Sequence, residues 1–187
     1  TGIGVHVMGH SHDGLMQASL DGALADTIMQ GNLQQNTSSL DLCRLLVNTA
    51  NRHSQKFAHC FLSSSGVMAG ENALKIAFQK KSPAQRLLAF NHCFMGRTMA
   101  LSQATDKPSY RQGLPTTLNV DYVPFYDENH PKTSTDQAVA TLKEHLKRYP
   151  GQHAAMSFEL VQGEGGFHVG HRDFFVSLMS VLKEHGV

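Results

Sequence analysis

The sequence predicts an α/β fold of three layers, α/β/α, with a mostly parallel sheet in the middle. Two observations lead there. Short apolar runs of strand length, FAHCFL, RLLAFN and AAMSFELVQ, alternate with longer segments whose apolar residues recur at helical spacing. A serine and glycine turn joins the first of these runs to a helix, and strands separated by helices pair in parallel. At 187 residues the chain can bury about 70% of its unfolded surface, and no repeat, low-complexity tract or linker divides it.

In chain order, the first residues, GIGVHVMGHSHDG, are glycine-rich and carry no helix start signal. A helix is predicted from about Gly14 to Met29, apolar at Leu15, Ala18, Leu24, Ala25 and Ile28, with Gly31 and Asn32 as its stop. Ser38 or Ser39 can cap a second helix, apolar at Leu42, Leu45, Leu46 and Ala50 and ending near Asn51 to Ser54. Phe57 to Leu62 reads as a buried strand. Ser63 to Ser65 and Gly66 break it, and Ala69, Ala73, Ile76 and Ala77 then recur as one side of a helix.

Arg86 to Asn91 is the next strand, followed by a turn and short helix in FMGRTMALSQA. Two prolines, a glycine and mixed charges make Thr105 to Pro115 a surface loop with little structure of its own. A strand at Val120 to Val123 precedes a helix from Asp136 to Tyr149, apolar at Val139, Leu142 and Leu146 and ended by Pro150 and Gly151. Ala154 to Gln162 is the last strand, GEGG its turn, and Asp173 to His185 a final helix with Phe174, Leu178, Val181 and Leu182 on one face.

Composition narrows the function. A net charge of +1 and 17% charged residues give no basic excess for nucleic acid. No apolar run approaches the roughly 20 residues of a membrane span, and the N-terminus does not read as a signal peptide, so a cytoplasmic location is expected. Cys43, Cys60 and Cys93 are widely spaced with no Cys-x-x-Cys pair, which favours reduced, structural thiols over a disulfide framework.

Four stretches can carry chemistry. In a strand-turn-helix unit the free amides of Gly66, Val67 and Met68 converge, and the helix dipole favours an anion there by ~0.3–1 kcal/mol; the plain alternative is a serine-capped helix. His10 and His12 can share a metal, as in a metallohydrolase, although the other histidines supply no evident strand-end ligands. Phe94, directly after a strand, can stack on a flat ring or fill a core. Glu159 lies inside an apolar strand, where a carboxylate needs a partner, and Glu164 lies in the glycine turn behind it.

In this order, GIGVHVMGHSH, SSSGVMAGENALK, FMGRT and ELVQGEGG resemble the class III pyridoxal-phosphate aminotransferases, the group that includes ornithine, acetylornithine and 4-aminobutyrate aminotransferases. The resemblance runs over essentially the whole chain and implies a fold type I large domain that binds pyridoxal 5'-phosphate. By position it implies that Ser65, Gly66 and Val67 seat the phosphate and that Phe94 covers the pyridine ring. Glu159 would stand in the wall beside the cofactor, and Glu164 matches a glutamate that pairs in some members with a mobile arginine near the second substrate.

The implied reaction moves an amino group from a terminal or ω-amine, or an amino acid, to a 2-oxo acid, in a homodimeric parent. Met68, Gly70, Met95 and Asp13 depart from the family's usual residues. The family's ring-binding aspartate and Schiff-base lysine have no counterpart here, nor do its N-terminal arm and small domain. Residues 1–187 are therefore expected to be a piece of a large domain, inactive alone. A non-catalytic binding or oligomerisation module of the same fold is the alternative.

Overall fold

A computed structural model describes residues 4–26, 36–53 and 55–187 and divides the chain into two compact units, Thr1–Leu62 and Ser63–Val187. In the first unit, α1 spans Asp13–Leu24 and α2 spans Thr37–Ala50. The cap of α2 is Asn36, which accepts from the Ser39 amide at 2.8 Å, so the helix begins one or two residues before the serines expected to cap it. The α1 helix begins at Asp13 and ends at Leu24, short of the expected Met29: Ala25 is its C-cap and Asp26 turns out of it at a φ of +48°, while residues 27–29 and the stop at Gly31 and Asn32 lie outside the described residues. Neither helix buries a side chain, and Leu15, Leu20, Leu24, Leu42, Leu45 and Leu46 stay exposed.

Phe57 to Leu62 forms no strand. Among the described residues it pairs with no strand, Phe57 and Phe61 are each 55% exposed, and its side-chain contacts come from α2 and its cap: Asn51 accepts from the Phe57 amide and donates to its carbonyl, and the Cys43 thiol donates to the Cys60 carbonyl at 3.8 Å. An apolar run is strand only where a partner supplies the ladder, and none is present among the described residues.

The second unit holds the sheet. Strands β1 (Arg86–Phe90), β2 (Asn119–Val123) and β3 (His153–Met156) are parallel in the order β2-β1-β3, with Leu87 opposite Val120 and Ala155. Central β1 is buried on both faces, which is why it reads as an unbroken apolar run. Leu88 and Phe90 pack with Leu142 and Leu146 of α5 (Pro131–Arg148) and with Phe174 and Leu178 of α6 (Arg172–Glu184). Leu87 packs the opposite way, with Leu74 of α3 (Gly66–Lys80) and with Leu101 and Ala104 of the one-turn α4 (Leu101–Ala104). Helices therefore cover both faces, as expected.

Two boundaries differ from expectation. Helix α5 starts five residues early because Pro131 occupies its first turn, where a missing amide costs nothing. The run from Ala154 to Gln162 is not one strand: β3 ends at Met156, and Val161–Gln162 (β4) pairs antiparallel with His168–Val169 (β5) around the glycine turn.

One carboxylate ties the three parallel strands together. Asp121 of β2 accepts two hydrogen bonds from Arg86 of β1, at 2.6 and 2.7 Å, and meets the imidazole Nε2 of His153 of β3 at 2.8 Å. Arg86 also lies 3.7 Å over the Tyr149 ring. Burial pushes the Asp121 carboxyl upward, but the Arg86 and His153 hydrogen bonds and the Arg86 charge outweigh it and leave it below its ordinary 3.8. Burial keeps His153 below its ordinary 6.5 despite the partner carboxylate.

Both shifts mean that the unfolded chain takes up protons before the folded one. Stability is therefore present above each ordinary value and falls as pH drops, first below about 6.5 and again below about 3.8. Asp121→Asn is expected to cost about 3 kcal/mol at pH 7, since it strands a half-buried guanidinium, and to blunt the lower acid step; urea unfolding across pH measures both.

Candidate functional site

The site is built at the carboxyl ends of the strands, where loops leave a parallel sheet. Helix α3 opens at the serine turn. Ser65 is its cap, and its hydroxyl accepts from the Met68 amide at 3.3 Å. The amides of Gly66 and Val67 find no partner among the described residues, and Cβ added at Gly66 would meet open space. Of the three amides expected to converge, two are free and that of Met68 is spent on the cap.

The loop after β1 faces this helix start. Gly66, Val67, Phe94, Met95, Gly96, Arg97 and Thr98 line one cleft of about 560 Å³. Gly96 allows the approach: its φ is +137°, and a Cβ there would come within 2.4 Å of the Val67 side chain. Thr98 donates to the Glu71 carboxylate one turn into α3, tying loop to helix a second time.

What fixes Phe94 is mostly outside its own motif. The Thr105 hydroxyl, fully buried, accepts from the amides of Met95 and Gly96 at 2.9 and 3.1 Å and donates to the Gly96 carbonyl at 2.9 Å. Asp106 accepts from the His92 amide at 2.7 Å, and its own amide donates to the Cys93 carbonyl at 3.0 Å. Burial pushes the Cys93 thiol up to about 11, so it is no nucleophile at neutral pH.

Glu159 is the other anchor. Its carboxylate accepts from the Phe94 amide at 3.0 Å and from the Gly163 amide at 3.4 Å, which is the partner its place in an apolar segment demanded. Met95 accepts at sulfur from the Ser157 hydroxyl at 3.2 Å.

Glu164 is also engaged, though not by an arginine. Its Oε1 accepts from the Lys107 ammonium at 2.5 Å and from the Tyr110 hydroxyl at 3.0 Å. These two hydrogen bonds hold its carboxyl below the usual range, and Lys107 is raised by its own hydrogen bonds to Glu164 and Tyr110. Gly165 lets the turn come this close, since a Cβ there would stand 2.6 Å from the His92 carbonyl. Tyr110 in turn sets its ring edge-on to Phe94, with centroids 6.1 Å apart.

The segment read as a weakly structured surface loop thus contributes Thr105, Asp106, Lys107 and Tyr110 to the site. Its prolines and charges gave no sign of this, because the residues it binds lie in other parts of the chain. His10 stacks on His6 at 4.8 Å, and no group of three or more histidines, cysteines and acids suited to a metal occurs among the described residues.

A family profile described as "Aminotransferase class-III" matches residues 1–187. The acetylornithine aminotransferase of Methanopyrus kandleri is 30% identical over 187 residues, covering 100% of this chain and 43% of that protein. That of Parasynechococcus marenigrum is 31% identical over 192 residues, with 100% and 42% covered. The chain spans less than half the length of these curated relatives. Among solved structures, an amine transaminase from an uncultivated Pseudomonas species, in its PLP-bound form, superposes with a TM-score of 0.82 at 22% identity over 96% of this chain and 43% of that one. The taurine:2-oxoglutarate aminotransferase of Bifidobacterium kashiwanohense, in complex with PLP and glutamate, gives 0.83 at 17% identity over 96% and 42%. At these identities the structural likeness speaks to fold, that of fold type I transaminases.

Thr105→Val keeps the side chain's shape but strands two buried amides and a carbonyl. It is expected to cost about 3 kcal/mol, while Thr105→Ser stays within about 1 kcal/mol, as read from chemical unfolding midpoints.

Proposed function

The chain belongs to the class-III aminotransferase family, and on that premise we propose that it is part of the pyridoxal-phosphate-binding large domain of a transaminase. The donor is a terminal or ω-amine, or an amino acid, and the acceptor a 2-oxo acid. One observation carries the reading: two free amides at a helix start and an aromatic ring share a single cleft of about 560 Å³.

The residues present fit the cofactor. The amides of Gly66 and Val67, aided by the dipole of α3, suit a phosphate, and the Ser65 hydroxyl can donate to it while still accepting from Met68. Phe94 supplies a flat apolar face for the pyridine ring, an interaction of about 0.5–1.5 kcal/mol beyond area burial. Glu159 acts at one remove by fixing the Phe94 backbone and the Gly163 turn. Glu164 sits on the substrate side, its charge balanced by Lys107. Once bound, the cofactor withdraws electrons from the substrate carbon. The chain's part is to bind, orient and shield that pair from water.

The same family supports a homodimeric, cytoplasmic parent. The exposed leucines of α1 and α2 accord with a partner surface, since so many apolar side chains on one pair of helices need cover. Among the described residues no helix is long and apolar enough to cross a membrane.

A proton-shuttling base contributes about 10²–10⁴-fold, and among the described residues no lysine lines the cleft. The 187 residues alone are therefore expected to show no turnover with ω-amines and 2-oxoglutarate, and borohydride reduction with peptide mapping is expected to find no single lysine labelled stoichiometrically. Gly66→Val places a side chain where the anion would sit and is expected to weaken pyridoxal phosphate and inorganic phosphate alike by tenfold or more, measured by calorimetric titration. An unchanged affinity would refute the phosphate seat.

A further inference from the structure

Lys107 and Tyr110 have no role in the family pattern given above, yet they converge on one oxygen at the rim of the cleft. Glu164 Oε1 receives both the ammonium at 2.5 Å and the phenol at 3.0 Å. Lys107 Nζ lies 4.8 Å from the Tyr110 ring centroid, and the Arg97 guanidinium carbon lies 5.8 Å from it. The edge contact with Phe94 completes the array. Two cations, one ring and one carboxylate are thereby collected around the side chain expected to cover the cofactor.

We propose that Lys107 and Tyr110 are positioning residues for Phe94: they strap the Gly163–Gly166 turn to the 105–110 segment and hold the Phe94 ring over the cleft. Neither touches the phosphate seat. The physical case rests on where each end of the strap is fixed. At one end, Thr105 and Asp106 bind the backbone of residues 92–96. At the other, Glu159 joins the Phe94 amide to the Gly163 amide, one residue before Glu164.

The backbone beneath Phe94 is thus secured, but its half-buried side chain is bounded on the outer side by Tyr110. Tyr110 is itself only partly buried, so its hydroxyl bond to Glu164 and the cations near its ring decide where it stands. Removing the hydroxyl frees the ring to drift, and removing the ammonium leaves Glu164 with the tyrosine's hydrogen bond and the more distant Arg97 charge.

This inference rests on the cofactor reading, and its test separates the two. Phe94 is followed in the ligand-free chain by fluorine-labelled phenylalanine, its signal among the ten identified by loss in Phe94→Leu. In Lys107→Met, and in Tyr110→Phe, where an eleventh signal is added and that of Phe94 is again identified by Phe94→Leu in the same background, the signal is expected to move or broaden, and Lys107→Arg is expected to restore it. Affinity for pyridoxal phosphate should then fall about fivefold in Tyr110→Phe and Lys107→Met, the size of one aromatic contact, while inorganic phosphate binds as before. A Phe94 signal that stays put in both variants overturns the strap, as does an equal loss of both ligands, which would mark a general loosening of the fold. Wild-type chain that binds inorganic phosphate but not pyridoxal phosphate, or neither, overturns the cofactor reading instead, and the Phe94 signal still decides whether the strap exists.

Discussion

A single carboxylate reaches all three parallel strands, and the placement of everything above the sheet follows from it. Asp121 binds Arg86 and the Nε2 of His153 at once, at the strand starts of β1 and β3. A buried charge is tolerated only with partners in good geometry, so β1, β2 and β3 cannot slide past one another without stranding a charge. The ladder shift between Arg86 and Leu87 lies at this point, where β1 meets β3. With the starts pinned, the strand ends emerge at fixed spacing, and the loops that build the cleft begin from a rigid edge.

At that edge polar chemistry does the fine placement. The Phe94 loop contains little that could hold itself, and its backbone groups are claimed by Thr105, Asp106 and Glu159. A buried hydroxyl that uses its donor and both acceptor positions leaves no freedom in the turn it binds. This division of labour explains how the loop accommodates Met95: its geometry is set from outside, and the methionine needs only to fit and to accept from Ser157.

The two units differ in what they bury. Residues 63–187 close a core around Phe90, Leu88 and Leu142 on one face of the sheet and Leu87 on the other. In the first unit the leucines of α1 and α2 remain in contact with water, and the phenylalanines of the 57–62 segment do likewise. Helical periodicity survives there because its hydrogen bonds are internal to the helix. The strand does not, because its hydrogen bonds belong to a neighbour.

The same distinction separates what the sequence determined from what the fold decided. Periodicity and caps are local, so α3, α5, α6 and the strands β1 and β2 were legible to within about five residues, as were the layered class and the family resemblance that the four motifs carry. The partners were not legible. Glu159 meets the Phe94 amide across 65 residues, Glu164 meets Lys107 across 57, and Asp121 meets His153 across 32. Nothing in the local composition around Lys107 distinguishes a strap from an exposed loop, since its chemistry exists only once the strand ends bring the two segments side by side. Residue types that can bind, stack or carry charge are written in the chain; which of them do so on one another is set by the distances that the packed sheet imposes.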